Sequence, residues 1–174
     1  DFEGGAEITG FAIPYSSSKT LTLTNVKLEG LYAGVANPMN PAYDESGLHW
    51  PAGVADHITV ELHNSANYAV VIGTPIDVAL STSGTAVVTV PAASSGTYYI
   101  TVKHRNSIET VSATPVSFAG STITQSFGTP ADVFASNLLS FVDGGFAIFG
   151  GDVNQDGIID GSDMSAVEND AGLA

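Results

Sequence analysis

One run of residues in this chain has types and spacing that specify a chemistry: Asp152-Val-Asn-Gln-Asp-Gly-Ile-Ile-Asp-Gly-Ser-Asp163. Asp152, Asn154 and Asp156 supply side-chain oxygens at the first, third and fifth positions of a loop. Gly157 stands where a sharp turn needs a residue without a Cβ, and Ile158 can offer its backbone carbonyl. Asp160 can ligate directly or through water, and Asp163 closes the loop. An all-oxygen, flexible cage favours a hard cation, and suits Ca²⁺ better than Mg²⁺. Four carboxylates this close repel one another, so the loop is expected to be loose without metal. The plainer reading is an acidic, glycine-rich turn, and the completeness of the spacing argues against it.

Those residues need a scaffold, and the composition allows a substantial one. The chain has 174 residues with a hydrophobic share of 44%, enough for a real core and against global disorder. Its net charge is −14, from 18 acidic residues against Lys19, Lys27, Lys103 and Arg105 alone. That balance argues against binding nucleic acid or an anionic membrane surface, both of which need basic patches. No run approaches the ~18 apolar residues of a membrane-spanning helix. There are no cysteines, which removes disulfide and thiolate-metal frameworks. The first residue is Asp1, with no signal-like segment after it, so a processed or excised chain is expected. Cytosolic calcium would leave a weak site empty and extracellular calcium would fill it, so the expectation is a secreted or cell-surface location.

The β signal runs through most of the chain. Residues 1–5 read as a linker, and Ile8, Phe11 and Ile13 fit a strand between Ala6 and Pro14. Alternation at Thr20–Thr24, Ile58–His63, Ile76–Leu80 and Thr85–Val90 predicts half-buried strands. Val26–Tyr32, Ala69–Ile72, Val116–Phe118 and Ser121–Phe127 fit shorter ones. A hairpin is expected from Gly96–His104 and Ile108–Ser112 around Arg105-Asn-Ser107, and a pair from Asn137–Val142 and Phe146–Phe149 around Gly144-Gly145. Only Ser162–Asp170 has helical spacing, with Ser162 as a cap and Met164 and Val167 on one face. The pattern predicts an all-β protein, an antiparallel immunoglobulin-like β-sandwich followed by a short calcium loop and helix. The expected division is an N-terminal arm or first strand at 1–19, the sandwich at 20–149 and the loop–helix at 150–174.

Gly151-Asp-Val-Asn-Gln-Asp-Gly-Ile-Ile-Asp-Gly-Ser-Asp-Met164 closely resembles the first half of a type I dockerin repeat, an EF-hand-like calcium loop with its following helix. An Asp at the closing position is the dockerin choice. On this match the metal ligands are Asp152, Asn154, Asp156, the Ile158 carbonyl, Asp160 and Asp163. Gly30-Leu-Tyr, Asp56–His63, Tyr98–Thr110 and Phe149–Asp156 resemble a module found near the C-terminus of large secreted bacterial proteins. Such proteins include adhesins, surface proteins and polysaccharide-degrading enzymes. The resemblance implies a location and a type of module, and no reaction. A dockerin pairs two such repeats to meet a cohesin, and this sequence holds one. The loop is therefore read as a structural calcium clamp.

Other candidate sites follow from the long segment 35–56, which has almost no strand character and holds the single Trp. Trp50, Tyr43 and Tyr32 can stack on sugar rings, with Asp44, Glu45 and His49 hydrogen-bonding hydroxyls; the alternative is a loop anchored on the core by Trp50. A glycosidase needs paired carboxylates about 5–9 Å apart, and Asp44, Glu45 and Asp56 read as solvated loop acids. No serine sits in a Gly-x-Ser-x-Gly elbow, so no enzyme activity is expected. His57, His63 and His104 lack metal-ligand spacing and read as surface or satisfied core histidines. Arg105 and Glu109 flank the hairpin turn and are expected to form a cross-strand ion pair. Three function classes follow: a non-catalytic, calcium-stabilised structural or adhesive module; a carbohydrate-binding module acting on polysaccharide through Trp50, Tyr43 and His49; and a self-assembling fibre subunit that donates Ile8–Ile13 to a neighbour's sheet. Partners are thus polysaccharide, another surface protein or further copies of the chain.

Overall fold

The computed structural model describes residues 18–165. The expected strand at Ile8–Ile13 and the far half of the expected helix, with Val167, lie outside those residues. Within them the chain is mostly β. Its strands are β1 (Ser18–Thr24), β2 (Tyr43–Asp44), β3 (Gly47–Leu48), β4 (Val54–Asn64), β5 (Ile76–Ser81) and β6 (Ala86–Pro91). There follow β7 (Thr97–His104), β8 (Ser107–Val111), β9 (Val116–Ser117), β10 (Thr122–Ser126), β11 (Leu139–Ser140) and β12 (Phe146–Ala147). A helical turn at 161–165 closes the described chain. No helix in it is long and apolar enough to cross a membrane.

Two sheets carry the core. One has the order β5-β4-β7-β8, with β9 beside β7; the other has the order β10-β1-β6. The period-2 pattern does the sorting: Leu21 and Leu23 of β1, Val88 and Val90 of β6, Ile58, Val60 and Leu62 of β4, and Ile100 and Val102 of β7 all point inward. Together with Phe118 and Phe127 they form a single hydrophobic cluster. Burying a side chain of this kind is worth ~1.5–3 kcal/mol, so the alternation itself fixes which face of each strand is covered.

The pairing departs from an all-antiparallel arrangement. β1 runs antiparallel to β6 but parallel to β10, with Thr20 opposite Thr122 and Thr24 opposite Ser126. A parallel pair needs a long crossover, and here the whole larger sheet lies between the two strands in sequence.

Four expected strands are reduced. Val26 and Leu28 are buried, but only Leu28 makes a bridge, to Ile148, and Glu29–Leu31 then tightens into a 3-10 turn. At Ala69–Ile72 only Val71 makes a bridge, to His63. The pair around Gly144 shrinks to β11 and β12, because the Ile148 and Phe149 backbones bond instead with Lys27, Glu29 and Ile108. The segment 35–56, in turn, gains the small β2–β3 hairpin.

Candidate metal centre

The loop Asp152–Asp163 is folded around its own carboxylates. Asp163 is 4% exposed: its Oδ1 accepts from the amides of Val153 (2.8 Å) and Asn154 (3.2 Å), and its Oδ2 from Asp160 (2.9 Å). The Asp160 amide, foremost among these donors, holds the Asp163 carboxyl below its usual range. Asp160 accepts from the amide and hydroxyl of Ser162, both at 2.7 Å, which likewise lowers its pKa. Asn154 Oδ1 accepts from the Asp156 amide at 2.9 Å, and Asp156 Oδ1 from the Ile158 amide at 2.9 Å. These short-range bonds are the turn chemistry expected of Asx residues, and at Asp160 and Asp163 they favour the anionic form.

Asp152 differs from the rest. It is 2% exposed, and its Oδ2 accepts from the Gly157 amide at 3.2 Å. Its Oδ1 is buried with no hydrogen-bond partner, alone among the buried side-chain oxygens and nitrogens of the described residues. An unpaired buried carboxylate oxygen is costly, and a cation is the partner that a site of this composition would supply. The donor set, oxygen throughout, is of the chemical kind that Ca²⁺ takes. Its members do not converge fully: among the described residues no three His, Cys, Asp or Glu side chains stand close enough to hold a metal ion. Asn154 turns its amide nitrogen onto Asp156 and Ser162.

The loop is tied to the β7–β8 hairpin by backbone and polar bonds. The Ile108 amide donates to the Phe149 carbonyl (3.0 Å), and the Gly151 amide to the Asn106 carbonyl (2.7 Å). Gln155 donates from Nε2 to the His104 carbonyl at 2.6 Å, and the Gly150 amide donates to Glu29 Oε2 at 2.7 Å. Between loop and hairpin lies a cleft of about 390 Å³ whose walls include Lys103, Ser107, Glu109, Asp152 and Asp156. Ile158, Ile159 and Met164 are largely exposed, 60% for Ile158. The anchoring is polar, and the turns of the loop leave those side chains outward.

Beneath the hairpin turn sits an acid that the sequence reading placed in solvent. Asp56 is 1% exposed. Counting in twos from Ile58, Val60 and Leu62 puts it on the same inward row of β4, just after a register shift between Val54 and Asp56. His104 stands at the matching end of the inward row of β7. Asp56 Oδ1 accepts from Trp50 Nε1 (2.9 Å), the His57 amide (2.8 Å) and the Arg105 guanidinium. Its Oδ2 lies 3.2 Å from His104 Nε2. Burial pushes its pKa up, but the bonds from Arg105, His57, Trp50 and His104 together hold it at about 2. An ionised carboxylate only accepts, so His104 carries its proton on Nε2, and its Nδ1 accepts a hydrogen bond from the Ser107 hydroxyl at 2.9 Å. The series Ser107–His104–Asp56 has the donor order of a hydrolytic triad. All three side chains are buried, and Arg105 already neutralises the acid, so the series reads as a structural strut.

Arg105 is thus spent on Asp56, and the expected Arg105–Glu109 pair does not form. Glu109 pairs with Lys103 (3.2 Å), which also holds Glu61 (3.0 Å). These three lie on the outer face of the sheet, beneath a loop that lays Tyr68 over it. The Tyr68 ring stacks on His63 at 4.2 Å, and its hydroxyl bonds Thr101 and Glu109.

Of the expected sugar-contact residues, Asp44, His49 and Trp50 stand together, with the His49 and Trp50 rings edge to face at 4.7 Å. Tyr43 is 70% exposed at the start of β2, paired with Leu48 of β3. His49 is bonded to Asp44 at 3.0 Å. Trp50 stacks on His57 at 3.8 Å while donating to Asp56, so much of its ring is already covered. Tyr32 stacks on Phe141 at 3.9 Å and bonds Asp143. His57 is held by Asp77 at 2.7 Å and His63 by Glu61 at 3.0 Å. Comparison of the chain with family models, with curated proteins and with solved structures gave no match.

Proposed function

We propose that this chain is a non-catalytic, calcium-binding module of a secreted or cell-surface protein, with a structural or adhesive role. In this reading the two sheets form an immunoglobulin-like sandwich, and the dockerin-like loop and its short helix are a clamp on one end of it. The observation that carries the proposal is the buried, unpartnered Asp152 Oδ1 inside a loop of otherwise satisfied acids. Asp152, Asn154, Asp156, the Ile158 carbonyl, Asp160 and Asp163 would hold the ion, which would neutralise the four carboxylates and cross-link the loop. Gln155 and Gly151 transmit that order to the hairpin through their bonds to His104 and Asn106, and Gly150 to the turn at Glu29. Abundant extracellular calcium suits a site of this kind.

Calorimetry with Ca²⁺ tests the assignment. Wild-type protein is expected to bind one ion, and Asp152→Ala with Asp156→Ala to bind none; undiminished binding by the double variant would sink it.

Polysaccharide binding at Tyr43, His49 and Trp50 is the second reading, supported by the exposure of Tyr43 and His49. Trp50→Ala is a poor test, because it also strips a donor from Asp56. Tyr43→Ala is clean, and a glycan array on which it retains as much polysaccharide as wild type would end that reading. Self-assembly through Ile8–Ile13 concerns residues outside those described.

A further inference from the structure

The outer face of the larger sheet holds a second candidate site, which shares only Glu109 with the cleft beside the calcium loop. Tyr99 of β7 and Glu109 and Val111 of β8 form its floor; Tyr68 and Phe134 stand over it. The enclosed space is about 290 Å³. Tyr68 and Tyr99 meet edge to face, with ring centroids 6.1 Å apart.

Phe134 is held there at a cost. Val133 before it is buried and bridged to Ser112, which turns the next side chain outward. Phe134 is left 63% exposed, and Ala135 and Ser136 after it both adopt left-handed backbone, at φ 53° and 56°. Two consecutive non-glycine residues in that region are unfavourable, and core packing gains nothing from the Phe they display.

The walls show which ligand chemistry is matched. The Tyr68 hydroxyl is turned away onto Thr101 and Glu109, so the ring offers carbon to the cleft. Both Glu109 oxygens are engaged, one by Tyr68 and one by Lys103. A sugar would find almost no free hydrogen-bonding group. The charge, in contrast, is unbalanced: Glu61 and Glu109 share the single ammonium of Lys103, in a chain of net charge −14. Three aromatic rings beside a net negative charge attract a cation whose own surface is apolar. The geometry points to a binding site for an alkylated ammonium group, of the trimethylammonium type, in the cleft of Tyr68, Tyr99 and Phe134. The overall acidity favours a ligand whose only charge is that cation over one that also carries a phosphate.

Amide chemical-shift titration separates the possibilities. Choline is expected to shift the amides of Tyr68, Tyr99 and Phe134, with phosphocholine weaker. Its uncharged isostere 3,3-dimethylbutan-1-ol should bind about tenfold more weakly, since it keeps the shape and loses the cation–π attraction. Phe134→Ala, at an exposed position, should fold normally and weaken choline by a similar factor. Glu109→Gln keeps an oxygen for Tyr68 and should weaken choline without weakening the alcohol. The inference is overturned if the alcohol or phosphocholine binds as tightly as choline, if glucose shifts these amides and choline does not, or if Phe134→Ala changes nothing.

Discussion

Gln155 donates its side-chain Nε2–H to the backbone carbonyl of His104 at 2.6 Å. The fourth residue of the acidic loop, which the ligand pattern skips, is thus the one that fastens the loop to the sheet. Gln155 adopts φ 60° to do so. Gln155→Ala should lower unfolding free energy by about 1 kcal/mol, the usual net worth of one such bond. Gln155→Gly loses the same bond but relieves the left-handed backbone, so it should be at least as stable as the Ala variant. Urea titration of the calcium-loaded protein measures both.

Asp56 joins the Trp50 loop, β4 and the hairpin turn through a single buried carboxylate. Removing Asp56 leaves the Trp50 indole, the His57 amide and His104 Nε2 without an acceptor, at about 1–3 kcal/mol for a buried unsatisfied donor, whereas Arg105, 55% exposed, can turn to water. Asp56→Ala should therefore cost that much in urea unfolding and strip the Trp50 indole of its acceptor. A loss under about 1 kcal/mol, the range of a surface pair, would show the strut to be unimportant.

The same acid gives the fold a defined weakness at low pH. Its pKa falls from 3.8 to about 2 on folding, so its contribution is complete above pH 3.8 and disappears as pH falls through about 2. A shift of this size is worth roughly 2 kcal/mol. Burial acts on His104 first and pushes its pKa below 6.5, so the unfolded chain takes up that proton earlier. Stability from this source begins to fall as pH drops below 6.5. Urea midpoints against pH should decline in both intervals for the wild type, and Asp56→Asn should make the decline between pH 4 and 2 shallower.

Tyr68 closes the outer face with one hydroxyl shared between Thr101 and Glu109. Tyr68→Phe keeps the ring on His63 and leaves those two groups short of a partner. A loss of about 1–2 kcal/mol is expected by thermal or urea unfolding, with no change in calcium affinity.

The strands were legible wherever one face is apolar and the other polar: Ile58–His63, Ile76–Leu80 and the 96–112 hairpin lie where alternation puts them. Val26–Leu28 misled, because two buried side chains at strand spacing were supported by a single bridge. The parallel β1–β10 pair was hidden, since alternation reports faces and says nothing of neighbours or direction. Asp56 and His104 were within reach of a count along each strand, which places both on the core row. Residue type overrode that count, as an acid beside a proline-rich loop reads as solvated. Phe134 left no such signal, because its exposure depends on left-handed backbone at Ala135 and Ser136 that neither residue type announces.

The central claim, that calcium in the Asp152–Asp163 loop clamps the β7–β8 hairpin, is tested most directly by amide hydrogen exchange with and without Ca²⁺. The Ile108 amide, bonded to Phe149, and the Gly151 amide, bonded to Asn106, report on the junction. Ca²⁺ should slow both in the wild type and neither in Asp152→Ala. Equal exchange at these amides with and without saturating Ca²⁺ would contradict the account.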